Sequence, residues 1–471
     1  METKLHEKDK QKQMILSDNL WKVMYSVSWP AVIAMVLYGL NSVFDAIFVG
    51  RFVGETALAG VSIAYPLSQI TLGLGSLIGV GAGSALSIAL GAKDKETQKK
   101  ILGNVNYLSI VITVIYVILA LLLTTPLVKV MGGVGDTLEI GRTYFQITVI
   151  GALFWVYGLA GNMIVRAEGK MKTAAVIMAL GLVVNIIANY ILIVVMDMGV
   201  AGAAWGTNLG MFVYTAAGFI YFAKGKASFE AHPFKFFRDK KMIKDIFSMG
   251  MPSLIMSVMS LVQAVVVFNA LSRYGSTYDL ALYGAIYRIF TLLLTPIFGL
   301  MRALQPVIGI NYGAKNNLRV ISSFKIFAVA STLMMLPFWL IFMIIPEIPL
   351  GLMFPNRIFD AVSLFYFRIF MALLPILPVI FMMMTFYPAI NKGKPAAMIG
   401  IARQVIFYIP VMLILPKQFG IQWVYYGAFF IDVVITIWVL VLVKKEFHLL
   451  RKGQQKAEIC HEYDQINLPR E

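Results

Sequence analysis

Residues 28–50 read SWPAVIAMVLYGLNSVFDAIFVG, and Asp45 is the one charged residue in this run. A helix needs about 20 mostly apolar residues to cross the hydrocarbon core of a bilayer. This stretch is therefore long enough to span a membrane, and stretches of the same kind recur along the whole chain. The sequence predicts an all-α membrane protein.

Composition agrees with this prediction. Hydrophobic residues make up 59% of the 471-residue chain and charged residues only 14%, whereas soluble domains are about half apolar and a quarter charged. We predict twelve transmembrane helices, near residues 23–50, 57–91, 101–131, 138–166, 173–196, 199–223, 243–272, 279–312, 320–346, 358–390, 395–416 and 420–443. Short polar or Gly/Pro loops separate them.

Basic residues are distributed unevenly between the two ends of these helices. With a cytoplasmic N-terminus, 30 Lys and Arg lie on the cytoplasmic side and six on the outer side. The positive-inside rule favours this orientation, which also accounts for the net charge of +16 without a nucleic-acid partner. The predicted organisation is a cytoplasmic, uncleaved arm (1–22), an N-lobe (23–223), a cytoplasmic inter-lobe loop (224–242), a C-lobe (243–445) and a cytoplasmic tail (446–471).

The two halves share an internal repeat with an offset of 222 residues. Pro30 in SWPAVI falls on Pro252 in GMPSLI, and GAK at Gly91 falls on GAK at Gly313. GKMKTAA (169–175) matches NKGKPAA (391–397) in the same register. Parallel repeats are typical of transporters, so we expect two pseudo-symmetric six-helix lobes around a central cavity.

Ionisable residues inside membrane helices are candidates for function, because each costs on the order of 2.5 to 3.5 kcal/mol to insert. Asp45 lies in the first helix, and Asn41 lies one turn away on the same face. Asn185 and Asn189 in the fifth helix also share a face, and Thr207 in the sixth could join them. Such amides and hydroxyls could bind a carboxylic acid, a water or a cation, or could serve only in helix packing.

The second half does not duplicate this carboxylate, because Gln263 falls on Asn41 and Val267 falls on Asp45. Four arginines nevertheless lie in predicted helices of that half: Arg288, Arg302, Arg368 and Arg403. We expect them to face protein or a cavity, with Arg302 a candidate for the substrate cavity. Asp432 in the twelfth helix is a candidate partner for one of them.

Several function classes lack their usual residues. All four histidines lie outside the apolar segments, and the single cysteine, Cys460, lies in the polar tail. No phosphate-binding loop, HExxH pair or glycine-rich dinucleotide motif is present. We therefore expect neither an enzyme nor a bound cofactor or metal, and a coupling ion remains as the energy source.

Several stretches resemble the multidrug and toxic compound extrusion (MATE) family, in particular its bacterial exporters of cationic drugs. They are NSVFDAIFVGRFVGETALAGVSIAYP (41–66), NMIVRAEGKMKTAAVIMALGLVVNIIANYILIV (162–194), GVAGAAWGT (199–207), ALQPVIGINYGAKN (303–316) and ARQVIFYIP (402–410). The resemblance implies two six-helix lobes around a V-shaped cavity, and exchange of H⁺ or Na⁺ for an organic cation.

The resemblance also implies roles for individual residues. Asp45 corresponds to the first-helix carboxylate and Pro30 to the helix-bending proline. The polar cluster corresponds to Asn41, Asn185, Asn189 and Thr207. Ion-coupled members often carry Asp where this chain has Asn189, so the site here would hold one carboxylate, which favours H⁺ over Na⁺.

The expected protein is an H⁺- or Na⁺-coupled antiporter for lipophilic organic cations. It is expected to be a monomer in the bacterial cell membrane with both termini cytoplasmic. The residues expected to line the cavity are Tyr38, Met256, Met259, Gln263, Tyr283, Phe290 and Arg302. The aromatic residues among them are expected there because cations favour aromatic faces. The alternative is a flippase for lipid-linked precursors from the same wider superfamily. A receptor or scaffold would need neither Asp45 nor duplicated halves.

Overall fold

The computed structural model describes residues 2–354 and 358–466, which form helices joined by short connections. The helices of the first half are α1 (Glu2–Ser17), α2 (Leu20–Phe48), α3 (Glu55–Gly91), α4 (Lys95–Leu122), α5 (Thr124–Val130), α6 (Gly135–Ile150), α7 (Ala152–Ala167), α8 (Met171–Asn189) and α9 (Gly199–Ala223). Those of the second half are α10 (Lys240–Tyr274), α11 (Thr277–Gly313), α12 (Asn317–Ile344), α13 (Glu347–Met353), α14 (Ala361–Met371), α15 (Leu377–Ala389), α16 (Gly393–Ile401), α17 (Ile409–Phe419) and α18 (Gln422–Ile466). Three π-helical turns, Val49–Val53, Tyr190–Val195 and Ala402–Tyr408, interrupt or extend these helices.

Within the described ranges, nine helices are long and apolar enough to cross a membrane, or ten if α6 and α7 count as one bent span. All twelve predicted segments fall on helical structure in the predicted order. Two segments do not pass as single helices because each is broken into two, α6 with α7 and α14 with α15. The continuous helix α9 does not qualify because its glycines, Thr207 and Asn208 lower its mean hydropathy.

The fourth segment bends by 53° between α6 and α7. At the bend, Asn208 of α9 donates to the carbonyl of Ile147 at 2.6 Å. Gly151 makes room for this amide, because a Cβ there would lie 2.2 Å from Asn208 Oδ1. A side chain inserted into the backbone ladder is a recognised cause of a helix kink.

The tenth predicted segment, 358–390, is two short helices, α14 and α15, and not one. Broken backbone is tolerated at membrane depth only where other groups satisfy its freed carbonyls. Here α12 supplies them: Trp339 donates to the carbonyl of Ala372 at 3.0 Å, and Thr332 donates to that of Pro375 at 2.9 Å.

The two lobes pack together through α3 and α11, which are the second helices of the two repeats. A Cβ on Gly91 would lie 2.1 Å from the carbonyl oxygen of Ile310, and a Cβ on Gly313 would lie 2.0 Å from that of Ile88. The two contacts are equivalent under the 222-residue offset. Glycine is therefore required at both positions for this backbone approach.

We call the side of the bundle that carries α1 and residues 224–239 the basic side. Ile15 of α1 is fully buried there, and its carbonyl accepts a hydrogen bond from Arg319 Nε of the second half at 3.0 Å. The predicted arm is thus a helix whose end packs against the bundle, and α2 begins at Leu20.

The connection between the lobes is held against the N-lobe. Asn106 of α4 donates to the carbonyls of Pro233 and Lys235, each at 2.9 Å. Near its start, the Ser228 N–H donates at 2.5 Å to Glu168, whose side chain is fully buried and also pairs with Lys170 at 3.2 Å.

Candidate functional site

The five predicted coupling residues lie together, where α2, α8 and α9 meet. Helical spacing places Asn41 and Asp45 on one face of α2, and Asn185 and Asn189 on one face of α8. Thr207 of α9 completes the group. We call these five residues the Asp45 cluster.

The Asp45 carboxylate accepts three hydrogen bonds within this cluster. Asn189 Nδ2 donates to Oδ1 at 2.6 Å, while Asn41 Nδ2 and Thr207 Oγ1 donate to Oδ2 at 3.3 and 3.4 Å. Asn185 supports the donors, with its Oδ1 3.5 Å from Asn189 Nδ2 and its Nδ2 3.5 Å from Thr207 Oγ1. Neutral donors, and not a basic residue, therefore hold the carboxylate.

Close helix packing positions these donors. Asn185, Asn189 and Thr207 are buried, and α9 approaches α8 through glycine. A Cβ on Gly206 would lie 2.1 Å from Asn189 Oδ1, an atom that is buried and has no partner among the described residues. This amide oxygen is available to a proton donor or a cation. The described residues contain no group of three or more His, Cys, Asp or Glu that could hold a metal ion.

The Asp45 cluster borders two adjoining cavities, which we call together the N-lobe pocket. They enclose about 570 Å³ and 550 Å³ of space, part of it open to solvent, and share Tyr38, Asn41, Trp155 and Thr207 as lining residues. The larger cavity is lined mainly by apolar groups, among them Met178 and Met211, and the smaller one contains Asp45. The pocket thus combines aromatic and apolar walls with a single carboxylate.

The second half contains a separate C-lobe pocket of about 400 Å³, open solvent included. The side chains of Arg403 and Asp432 both line it and form an ion pair at 2.7 Å, and each is only 14% exposed. This confirms that Asp432 pairs with an arginine. Gln263 and Phe290 also line this pocket.

The remaining predicted residues lie at several places. Pro30 is buried inside α2, away from the cluster. Met256 and Met259 are half-buried on α10, and Tyr283 is buried and stacked on Tyr287, with ring centroids 6.0 Å apart. The residues predicted for one cavity are therefore divided between the N-lobe pocket, the C-lobe pocket and the packed interior.

The other three arginines have different environments. Arg288 is exposed on α11, while Arg368 Nε donates to the carbonyl of Met343 at 3.0 Å. Arg302 is half-buried, and its Nη1 lies 3.3 Å from Met163 Sδ of α7. Arg302 is thus a contact between the lobes.

Sequence reasoning missed two features of the site. The first is the set of π-helical turns: one begins four residues after Asp45, one directly follows Asn189, and one contains Arg403. Single π-helical turns are frequent at functional sites, but no residue pattern marked them. The second is Arg166, one of the 30 basic residues that the charge pattern assigns to the cytoplasmic side, which is buried at 5% exposure in the last turn of α7.

Comparisons with known proteins agree with this architecture. The MatE family model matches residues 30–191 and again 252–414, two matches whose starting points differ by the repeat offset. The chain is 25% identical over 436 residues to the multidrug export protein MepA of Staphylococcus aureus strain MRSA252, covering 93% of this chain and 96% of MepA. MepA of Staphylococcus saprophyticus is 24% identical, with the same coverage.

Solved structures show the same fold. A crystal structure described as MATE in the bent conformation aligns with a TM-score of 0.88 at 24% identity, covering 95% of this chain and 99% of that one. An outward-facing multidrug resistance MATE family transporter aligns with a TM-score of 0.85 at 24% identity, covering 94% and 99%. The twelve-segment, two-lobe fold is therefore confirmed, and the chain belongs to the MatE family of multidrug and toxic compound extrusion transporters.

Proposed function

We propose that this transporter is an antiporter that couples inward H⁺ flow to the export of lipophilic organic cations. The members of its family are transporters, which move substrates and are not enzymes. The observation that carries the proposal is the Asp45 carboxylate, which is held by neutral donors beside an apolar, aromatic pocket.

The ion is proposed from the chemistry of the donors. A proton needs only the one carboxylate, whereas a buried Na⁺ needs several oxygen ligands, and here Asn41 and Asn189 direct amide nitrogens at Asp45. Asp432 offers no second site, because Arg403 already neutralises it. H⁺ is therefore favoured over Na⁺.

The geometry suggests how protonation would act on the helices. A protonated carboxyl loses an acceptor and gains a donor, so it can no longer accept all three hydrogen bonds from Asn41, Asn189 and Thr207. These donors belong to α2, α8 and α9. We propose that their rearrangement bends α2 about Pro30, which lacks a backbone N–H, and closes the N-lobe pocket. Only an ion with different affinity for the two conformations can drive such a cycle.

The N-lobe pocket supports a lipophilic cation as substrate. Tyr38, Trp155 and Tyr214 offer aromatic faces, and methionine side chains adapt to varied shapes. Asp45 provides a negative charge that either the proton or the cation can neutralise, but not both at once. The relatives named as multidrug export proteins support small-molecule drugs as substrates.

We further propose that the protein works as a monomer in the bacterial cell membrane, with the basic side cytoplasmic. The excess of Lys and Arg on that side supports this orientation.

The test is efflux of a fluorescent cation such as ethidium from proteoliposomes under H⁺ and Na⁺ gradients imposed separately. We expect the H⁺ gradient to drive efflux and Asp45→Asn to abolish it. Asp197→Asn is the matched control, because Asp197 is an exposed loop residue with φ 50°, a conformation that Asn adopts readily. Efflux driven only by Na⁺ would overturn the choice of ion, and no efflux under either gradient would favour the lipid-precursor flippase.

A further inference from the structure

Two arginines with no acidic partner lie close together between the lobes. Arg166 of α7 is buried, and its one hydrogen bond among the described residues runs from Nε to Asn162 Oδ1 at 2.8 Å. Arg302 of α11 reaches Met163, which is on the same helix within one turn of Arg166. The guanidinium group of Arg302 therefore lies beside the part of α7 that carries Arg166.

Their charges are not compensated by the surrounding protein. Neither arginine forms an ion pair with an acidic side chain in the described part of the chain. The nearest carboxylate in sequence, Glu168, is already bound by Lys170, Tyr221 and the Ser228 N–H. A methionine sulfur is a weak acceptor for Arg302. Buried charges are normally paired, so this arrangement is incomplete without an anion.

A third group points to the same ligand. Tyr214 of α9 is buried at 4% exposure, and its hydroxyl has no hydrogen-bond partner among the described residues. Its ring packs against α7, the helix of Arg166, because a Cβ on Gly158 would lie 2.8 Å from Tyr214 Cδ1. Tyr214 also lines the N-lobe pocket. Asp45 therefore lines one cavity of the pocket, and Tyr214 lines the other.

We propose that Arg166, Arg302 and Tyr214 form a binding site for an oxyanion, either a carboxylate or a phosphate group. Guanidinium groups and a phenol hydroxyl are donors suited to such oxygens. The anion is carried either by a substrate that occupies the N-lobe pocket or by the head group of an anionic lipid. The site extends the ligands of this protein beyond simple cations to molecules that bear both charges.

The experiment compares two dyes that share one cationic xanthene ring system, one with a free benzoate and the other with its methyl ester. Binding to the purified full chain is measured by fluorescence anisotropy in phosphatidylcholine nanodiscs. Tyr214→Phe and Arg302→Gln remove donors, and Arg302→Lys restores the charge. Arg288→Gln is the matched control, because Arg288 is an exposed arginine on the same helix.

We expect Arg302→Gln to weaken binding of the benzoate dye about tenfold or more, as for loss of a charged hydrogen bond. Tyr214→Phe should weaken it several-fold, Arg302→Lys should recover part of the affinity, and the ester should change less than about twofold. If a lipid is the ligand, phosphatidylglycerol should raise the Tm of the wild type, but not of Arg302→Gln, and should compete with the benzoate dye.

The site is supported if the variants lose binding of the benzoate dye but not of the ester, or lose the stabilisation by phosphatidylglycerol. The first result identifies a substrate as the source of the anion, and the second identifies a lipid. Two results together would show that the proposal is wrong. In the first, the variants change the binding of both dyes equally or of neither dye. In the second, stabilisation by phosphatidylglycerol does not depend on Arg302 or Tyr214. Failure of both dyes to bind the wild type would count against the proposed export function. The phosphatidylglycerol measurement would then decide the oxyanion site alone.

Discussion

At the scale of single residues, the contact between Asn189 and Asp45 underlies the ion that we propose for the Asp45 cluster. Its amide nitrogen lies 2.6 Å from the Asp45 carboxylate, the shortest of the three contacts. The i, i+4 spacing predicted one polar face on each of two helices, and the resemblance to the MATE family implied that these faces and Thr207 form one cluster. The sequence could not predict which atoms touch, since this depends on how far α8 and α9 approach each other.

Asn189→Asp tests the role of this residue. It places a second carboxylate against Asp45, and two anions in contact are stabilised by a bound cation. We expect the variant to gain saturable binding of isotopic Na⁺ that the wild type lacks. The exposed Asn269→Asp on α10 is the control. Na⁺ binding by the wild type, or none by Asn189→Asp, would contradict the single-carboxylate argument.

Glu168, in the loop after α7, should make stability depend on pH. Burial raises the pKa of its carboxyl above the ordinary 4.5, and Lys170 and Ser228 oppose this effect. Because the folded state then holds the proton more tightly than the unfolded state, this residue's contribution to stability falls as the pH rises above about 4.5.

Glu168→Gln should remove this dependence. The Tm of the variant minus that of the wild type is therefore expected to be more positive at about pH 8 than at about pH 5. The exposed Glu347→Gln should show a constant difference. If the Tm difference between Glu168→Gln and the wild type instead decreases as the pH rises, Lys170 has a larger effect on the pKa of Glu168 than burial has.

At the scale of helices, glycines and π-helical turns position the polar groups. Gly206 of α9 faces Asn189, a contact that no sequence pattern predicted. The turn at Ala402–Tyr408 places Arg403 against Asp432 of α18. A π-helical turn changes the helix face on which a residue lies. Helical periodicity alone could therefore not predict the contact between Arg403 and Asp432.

Gly206→Ala should disturb the Asp45 cluster without unfolding the protein. The added methyl would lie 2.1 Å from Asn189 Oδ1, so Asn189 must move away from Asp45. We expect H⁺-driven ethidium efflux to fall about tenfold, as for loss of one charged hydrogen bond. Gly218→Ala on the same helix meets nothing within 4 Å and should leave efflux unchanged. Equal effects of the two variants would refute the steric explanation.

The Arg403–Asp432 pair should stabilise the C-lobe. Removing one partner of a buried pair leaves an uncompensated charge, so Arg403→Gln should lower the free energy of unfolding by about 3 kcal/mol. The double variant Arg403→Gln/Asp432→Asn should recover part of this loss. Unfolding in mixed micelles of increasing denaturing detergent, measured for both single variants and the double variant, gives the coupling energy. Additive losses would mean that the two side chains act independently.

At the scale of the whole molecule, the duplication is evident from the sequence, whereas the contact between the lobes is not. Matching GAK motifs predicted the 222-residue repeat, but they gave no sign that each glycine contacts the backbone of the other lobe. The contacts of Gly91 and Gly313 hold α3 and α11 together on the basic side. The two lobes are therefore closed against each other at this contact, which we call the α3–α11 seam.

Gly91→Ala and Gly313→Ala should each open the seam. A methyl group at either position would collide with a carbonyl of the opposite lobe. The buried residue Ser84 reports on this opening, because it bonds across the lobes to Gln305 at 2.9 Å. In a Cys460→Ser background, labelling of Ser84→Cys by a water-soluble maleimide should be several-fold faster in both glycine variants. Gly218→Ala is the control, and unchanged labelling would exclude these contacts as the closing element.

A carrier that takes up one proton on one carboxylate exchanges it for a monovalent cation without moving net charge. The membrane potential then does no work on the cycle, and the pH difference alone limits accumulation, about tenfold for each pH unit. A divalent cation would carry one uncompensated charge outward, at a cost of about 2.3 kcal/mol per 100 mV. Under the proposed exchange of one proton on Asp45, the export ratio therefore depends on the valence of the drug: the membrane potential leaves export of monovalent compounds unchanged and opposes export of divalent ones.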